Sequence, residues 1–189
     1  MSKLNVQEAL LSIHAGSLTP DGSGSMARLA ETYRSGLRVL GIGALYIAPL
    51  VLRVALALPF FRSGLTRWDG WFSLAPSTTF LFSELFKLHI LGAEYAIPFP
   101  DLVSYLVGIG EITLPILLVL GLGTRLAALG ILAMTAVIQL VVPDGWVNFH
   151  LYWAAIALAI VALGGGAISV DRLIDKLIPQ VNRAGHKST

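Results

Sequence analysis

Four long apolar runs organise this sequence: Ala44 to Leu65, Leu102 to Leu122, Leu126 to Val142 and Val147 to Leu163. A hydrocarbon core about 30 Å thick is crossed by roughly 20 apolar residues in a helix, which matches the scale of these runs. They are continuous rather than alternating, a pattern that selects helices over a barrel. The expected fold is therefore an all-α membrane protein built as a four-transmembrane-helix bundle. The longest connection, Thr66 to Asp101, has helical spacing over Ser77 to Leu91, with Phe82, Leu85, Phe86 and Ile90 set against Glu84 and Lys87. This spacing predicts a short interfacial helix in the first outer loop, serving either as a lid over the bundle or as an anchor.

Polar segments flank the runs. Residues 1–38 read as a cytoplasmic N-terminal tail, loop-like over Gly16 to Ser25, followed by an amphipathic lead-in helix from about Met26. They lack the apolar core and cleavage pattern of a secretory signal. Residues 39–175 form the expected membrane domain, and 176–189 a polar C-terminal tail. With an even number of spans the termini share a side, and that side carries Lys3, Arg28, Arg34, Arg38, Arg125, Arg172, Lys176, Arg183 and Lys187. The other side holds Arg67 and Lys87, with Arg62 near the boundary. The positive-inside rule then places both termini in the cytoplasm of a multi-pass bacterial inner-membrane protein.

Composition agrees: 56% of residues are hydrophobic and 13% charged, against about 25% charged in soluble domains. Mean hydropathy is +0.77 and the pI is about 9.1. The basic residues are scattered and juxtamembrane, so topology accounts for them and no nucleic-acid partner is expected. The chain has no cysteine, which excludes thiol–disulfide exchange, iron–sulfur ligation and Cys-based zinc sites. Redox chemistry would then need a bound cofactor or a partner subunit.

Ionisable residues inside spans are costly, roughly +3 kcal/mol at the bilayer centre, and read by default as functional or pairing sites. Glu111 and Arg53 are the two that stand deepest. On the second span Ser104, Gly108, Glu111 and Pro115 share one face, and Pro115 frees the carbonyl of Glu111 beside its carboxylate. Thr135 and Gln139 share a face of the third span, and Trp146, His150 and Trp153 one of the fourth. With Thr66 and Leu102 at the outer boundary, a 1.5 Å rise puts Glu111 about 14 Å deep, Arg53 about 20 Å and Arg62 about 6 Å. The expected buried pair is therefore Arg53 with Glu111, with Arg62 snorkelling outward. Such a pair also serves simply to fix helix register. Gln139 reads equally as a helix-to-helix hydrogen bond and His150 as an interfacial polar residue. His150 and His89 with one carboxylate make too weak a set for a metal site, and none is expected. Asp69-Gly70-Trp71 and Asp144-Gly145-Trp146 form a faint internal echo, each after an odd-numbered span.

Several segments resemble a known family. Leu52-Arg53-Val54-Ala55-Leu56-Ala57-Leu58-Pro59-Phe60-Phe61, then Gly64-Leu65-Thr66-Arg67, is similar to the first span of DoxX-family membrane proteins. Gly110-Glu111 and Leu120-Gly121-Leu122-Gly123-Thr124-Arg125 resemble their second span and turn, and Gly166-Ala167-Ile168-Ser169-Val170-Asp171 their C-terminal end. The resemblance covers roughly Leu45 to Ile174. It implies a four-helix inner-membrane protein of the DoxX and DoxD group, linked to thiosulfate:quinone oxidoreduction and to complexes handling redox or sulfur stress. Arg53, Gly64, Arg67 and Glu111 match the family pattern.

Two functions follow as expectations. The first is a quinone-linked oxidoreductase subunit working with partner redox subunits. Glu111 and Arg53 would be its catalytic pair, and Gln139, His150, Trp146, Trp153 and Arg67 its quinone-binding residues. The second is a non-catalytic membrane scaffold, or a small-molecule or metal transporter, in a stress-response complex, although four spans are few for alternating access. Membrane lipid is a partner in either case.

Overall fold

The computed structural model describes residues 22–185. The expected tail through residue 21 lies outside them. The chain divides into two compact units at Gly43 and Ala44. In the first, the described residues are helical, including Gly22 to Ser25 where the sequence predicts a loop, and those from Gly24 to Gly43 are exposed.

Helix α1 runs Gly22–Leu65 without a break at Pro49 or Pro59. The connection after it holds a short helix α2, Pro76–Phe80, a π-helical turn Leu81–Leu85, and an antiparallel hairpin of β1, Lys87–Ile90, with β2, Ala93–Ala96. Then come α3, Pro100–Leu120, and α4, Thr124–Val141. A 3-10 turn, Pro143–Gly145, and a π-helical turn, Trp146–His150, lead into α5, Leu151–Leu163. Helix α6 spans Val170–Gly185, through much of the segment expected to be a tail. Among the described residues four helical stretches are long and apolar enough to cross a membrane, matching the expected spans.

The interfacial helix is present but shorter than the spacing over Ser77 to Leu91 suggested. Phe86 turns extended, with ψ 124°, and a two-residue loop of Leu91 and Gly92, both at positive φ, closes the hairpin. Two successive positive-φ positions are what a tight turn between twisted strands requires.

Core packing in the second unit depends on small residues. Ala127 and Ala128 of α4 and Ala157 of α5 are buried with Leu56, Phe60, Leu118, Ile131 and Ile160. Between lipid-embedded helices, close van der Waals approach replaces the hydrophobic drive, so alanine and glycine crossings hold the bundle together. The stripe expected on α3 is borne out: Ser104, Gly108, Glu111 and Pro115 are all buried.

Candidate functional site

Glu111 is 3% exposed at its side chain and meets Arg67, not Arg53. Arg67 Nε donates to Oε2 at 2.9 Å and Nη2 to Oε1 at 3.2 Å, a two-pronged pair that Ser63 Oγ completes by donating to Oε1 at 3.2 Å. The expected Arg53–Glu111 pair is thus corrected, and the reason is helix stagger. Gly64 lies directly against the Glu111 peptide; a Cβ there would come 2.9 Å from its carbonyl carbon and oxygen. The end of α1 therefore meets the middle of α3, and the residues after Leu65 run beside its N-terminal half. Trp68 packs on Gly108 and stacks edge-on with Tyr105 at 5.3 Å. Thr66 and Leu102 are therefore not level, and depths counted from them do not compare across the two helices.

Arg67 is held in place from its backbone. Its N–H donates to Gly64 O at 3.1 Å, and its carbonyl accepts from Ala75 N at 2.8 Å and Thr78 Oγ1 at 3.1 Å. Its guanidinium lies 5.4 Å from the Phe82 ring centre, a cation–π contact. Nη1 has no hydrogen-bond partner among the described residues.

Arg53, fully buried, works at the opposite end of the bundle. It donates to the carbonyls of Pro49, Leu118, Val119 and Ile168. Leu118 and Val119 are in the last turn of α3, where the negative end of the helix favours a cation; the Leu118 carbonyl also accepts from Gly121 N at 3.1 Å. Gly121, at φ +72°, ends that helix in a Schellman arrangement, with Leu122 N on Leu117 O, a conformation glycine adopts without cost. Asp171 completes the same corner by capping α4. It accepts from Gly123 N at 2.7 Å, Thr124 N at 2.9 Å and Thr124 Oγ1 at 2.7 Å. Burial works against ionising Asp171, but these hydrogen bonds and the nearby Arg53 charge outweigh it and hold its carboxyl below the usual range. The Asp171–Thr124 clamp was not foreseen; the motif was visible in the sequence, its partner was not.

An apolar cavity of about 700 Å³ opens beside Glu111, among α1, α3, α4 and the α2–β2 connection. Phe60, Phe82, Phe86, Val107, Met134 and Trp153 line it, with Ser63, Arg67 and Glu111 supplying a polar patch. Leu106, Val137 and Leu140 also line it while being 59%, 48% and 40% exposed. The cavity therefore reaches the surface that faces lipid between α3 and α4.

Of the residues expected to bind a cofactor, Arg67 and Trp153 line this cavity, whereas Gln139, His150 and Trp146 do not. Gln139 and His150 pair with each other: Gln139 Nε2 donates to Pro143 O at 2.9 Å, which turns its Oε1 toward His150 Nδ1 at 2.7 Å. His150 then carries its proton on Nδ1 and packs 5.4 Å from the Trp153 ring, so the two polar residues buttress one wall of the cavity from behind. Trp146 is 43% exposed. His89 Nδ1 lies 3.1 Å from Leu140 O, tying the hairpin to α4. Among the described residues no three His, Asp or Glu groups gather as a metal site.

The DoxX family model matches residues 48–144, which include Arg53, Gly64, Arg67 and Glu111. The chain belongs to the DoxX family. It is also 28% identical over 153 residues to an uncharacterised protein of Haemophilus influenzae, covering 75% of this chain and 92% of that one. No solved structure matches it. As a DoxX protein it is a multi-pass membrane protein, and the Arg67–Glu111 pair joins two segments of the matched region.

Proposed function

We propose that this DoxX protein is the quinone-binding subunit of a redox system in the bacterial inner membrane, with both termini in the cytoplasm. The observation that carries this reading is a single buried ion pair in the wall of an apolar, aromatic-lined cavity that opens sideways toward lipid. A quinone needs that combination: an apolar slot for the ring, a donor for its oxygen, a proton-carrying group, and a way out for its lipid-soluble tail.

In this reading Arg67 takes the part first expected of Arg53. Its partnerless Nη1 donates to one quinone oxygen, and Glu111 passes on protons that accompany reduction. Conversion of quinone to quinol takes up two electrons and two protons. The electrons come from a sulfur-containing donor such as thiosulfate, oxidised by a partner subunit, since this chain has no cysteine of its own.

The test is titration of purified protein with a short-tail ubiquinone or menaquinone analogue, following Trp fluorescence. Saturable quenching, lost on Trp153→Phe, is expected. Arg67→Met should weaken binding about tenfold or more, whereas Glu111→Gln should hold binding within about tenfold and slow donor-dependent quinone reduction. A wild-type protein that neither binds the analogue nor supports its reduction with partner subunits would sink the proposal. The remaining reading, a non-catalytic scaffold or small-molecule transporter in a stress-response complex, draws on the same pair. Both oxygens of Glu111 are already hydrogen-bonded, as they would be in a purely structural tie.

A further inference from the structure

A second cavity, of about 630 Å³, lies at the Arg53 end of the bundle, between the α3–α4 turn and the segment leading into α6. Arg125 and Arg172 both line it, and neither side chain makes a hydrogen bond or ion pair with a described residue. The Arg125 guanidinium rests on Gly164, where a Cβ would lie 3.5 Å from its Nε. A Cβ would meet the guanidinium there at ordinary contact distance; it is the backbone, at φ +73°, that calls for glycine.

The cavity's carboxylates are not equivalent. Asp171 is committed to the α4 N-terminus through three hydrogen bonds. Asp175 has no partner among the described residues. What the cavity offers a ligand is therefore two unpaired guanidinium groups and one unpaired carboxylate. Its rim adds Leu45 and Leu126, 69% and 74% exposed, on helices that cross the membrane.

We propose that this cavity binds the headgroup of a phospholipid carrying a primary ammonium group. Phosphate would sit between Arg125 and Arg172, whose forked donors suit a phosphodiester. The ammonium would pair with Asp175, and the acyl chains would follow Leu45 and Leu126. A glycerol headgroup leaves Asp175 facing the phosphate with no cation between them. A choline headgroup brings the charge but no N–H to donate. A soluble phosphoethanolamine ester shares the headgroup chemistry and lacks the contact with the rim.

The experiment is native mass spectrometry on full-length protein, delipidated and then supplied in turn with phosphatidylethanolamine, phosphatidylcholine, phosphatidylglycerol or soluble glycerophosphoethanolamine. One retained phosphatidylethanolamine per chain is expected, with retention of phosphatidylcholine and phosphatidylglycerol about tenfold lower. Arg125→Gln with Arg172→Gln should reduce retention about tenfold. Asp175→Asn, which leaves both arginines in place, should abolish the preference for phosphatidylethanolamine over phosphatidylglycerol. Headgroup selectivity unchanged by Asp175→Asn would overturn the proposal even if the double variant failed to fold. Equal competition by the soluble ester would overturn the assignment to a lipid. No quinone is present in these measurements, so their outcome is independent of the outer cavity.

Discussion

Replacing Arg67 with Met removes both charged donors from Glu111 and leaves Ser63 as its one remaining hydrogen-bond donor. Breaking a buried ion pair by removing one partner costs about 3–5 kcal/mol, because the other charge stays in a low-dielectric interior. The lower end applies here, about 3 kcal/mol, since Ser63 still donates and Arg67 keeps 14% of its side chain exposed. Glu111→Gln should cost a similar amount, because an amide cannot accept at both of its ends. In the double variant neither uncompensated charge is left, so its loss should fall short of the summed single losses by roughly 1.5 kcal/mol or more. Arg53→Met is the control. Its acceptors Leu118 and Val119 lie seven and eight residues beyond Glu111, about 10–12 Å along the helix. Its effect should add to that of Glu111→Gln within about 0.5 kcal/mol. Reversible unfolding in mixed micelles, titrated with SDS and followed by circular dichroism, measures all of these losses. Additivity of Arg67 with Glu111, or strong coupling of Arg53 to Glu111, would refute the assignment of partners.

Two further outcomes are expected. Because folding lowers the pKa of Asp171, its contribution is present above the usual carboxylate range and is lost as pH falls through the folded value; Asp171→Asn should therefore destabilise at neutral pH, and the gap to wild type should close in acid, whereas a constant gap in SDS unfolding from pH 7 to 3 would contradict the clamp. Reporter fusions at the C-terminus and at Gly145 should read cytoplasm and periplasm, as the nine-to-two bias of Lys and Arg between the two sides requires, and the reverse pattern would overturn the orientation.

The spans were legible because lipid imposes one demand, an unbroken apolar length, and the sequence meets it four times. The α3 stripe was legible for the same kind of reason, since helical periodicity alone places Ser104, Gly108, Glu111 and Pro115 together. Pairing across helices was not. It depends on the axial offset of α1 against α3, set by the contact of Gly64 with the Glu111 peptide, and no single-helix periodicity encodes an offset between helices. The hairpin was missed because Phe86 and Ile90 fit a helical spacing as well as an alternating one, and the decisive signal was a Leu-Gly pair at the turn. Gln139 reads from sequence as a helix-to-helix hydrogen bond and His150 as an interfacial polar residue; His150 is instead buried, and their mutual hydrogen bond turns both away from the cavity.

The Arg53 corner also constrains how this protein is made. Arg53 enters the membrane with the first span, yet one of its acceptors, the Ile168 carbonyl, is 115 residues further along the chain. At about 5–20 residues per second of synthesis, that acceptor emerges roughly 6–23 s later. Through that interval the guanidinium has only the Pro49 carbonyl, and later those of Leu118 and Val119, with water drawn in at the membrane edge. The arginine that closes the corner thus leaves the first span incompletely satisfied until the last stretch of the bundle has been made. Variants that slow synthesis after the third span should lower the yield of this protein without changing the stability of the molecules that finish.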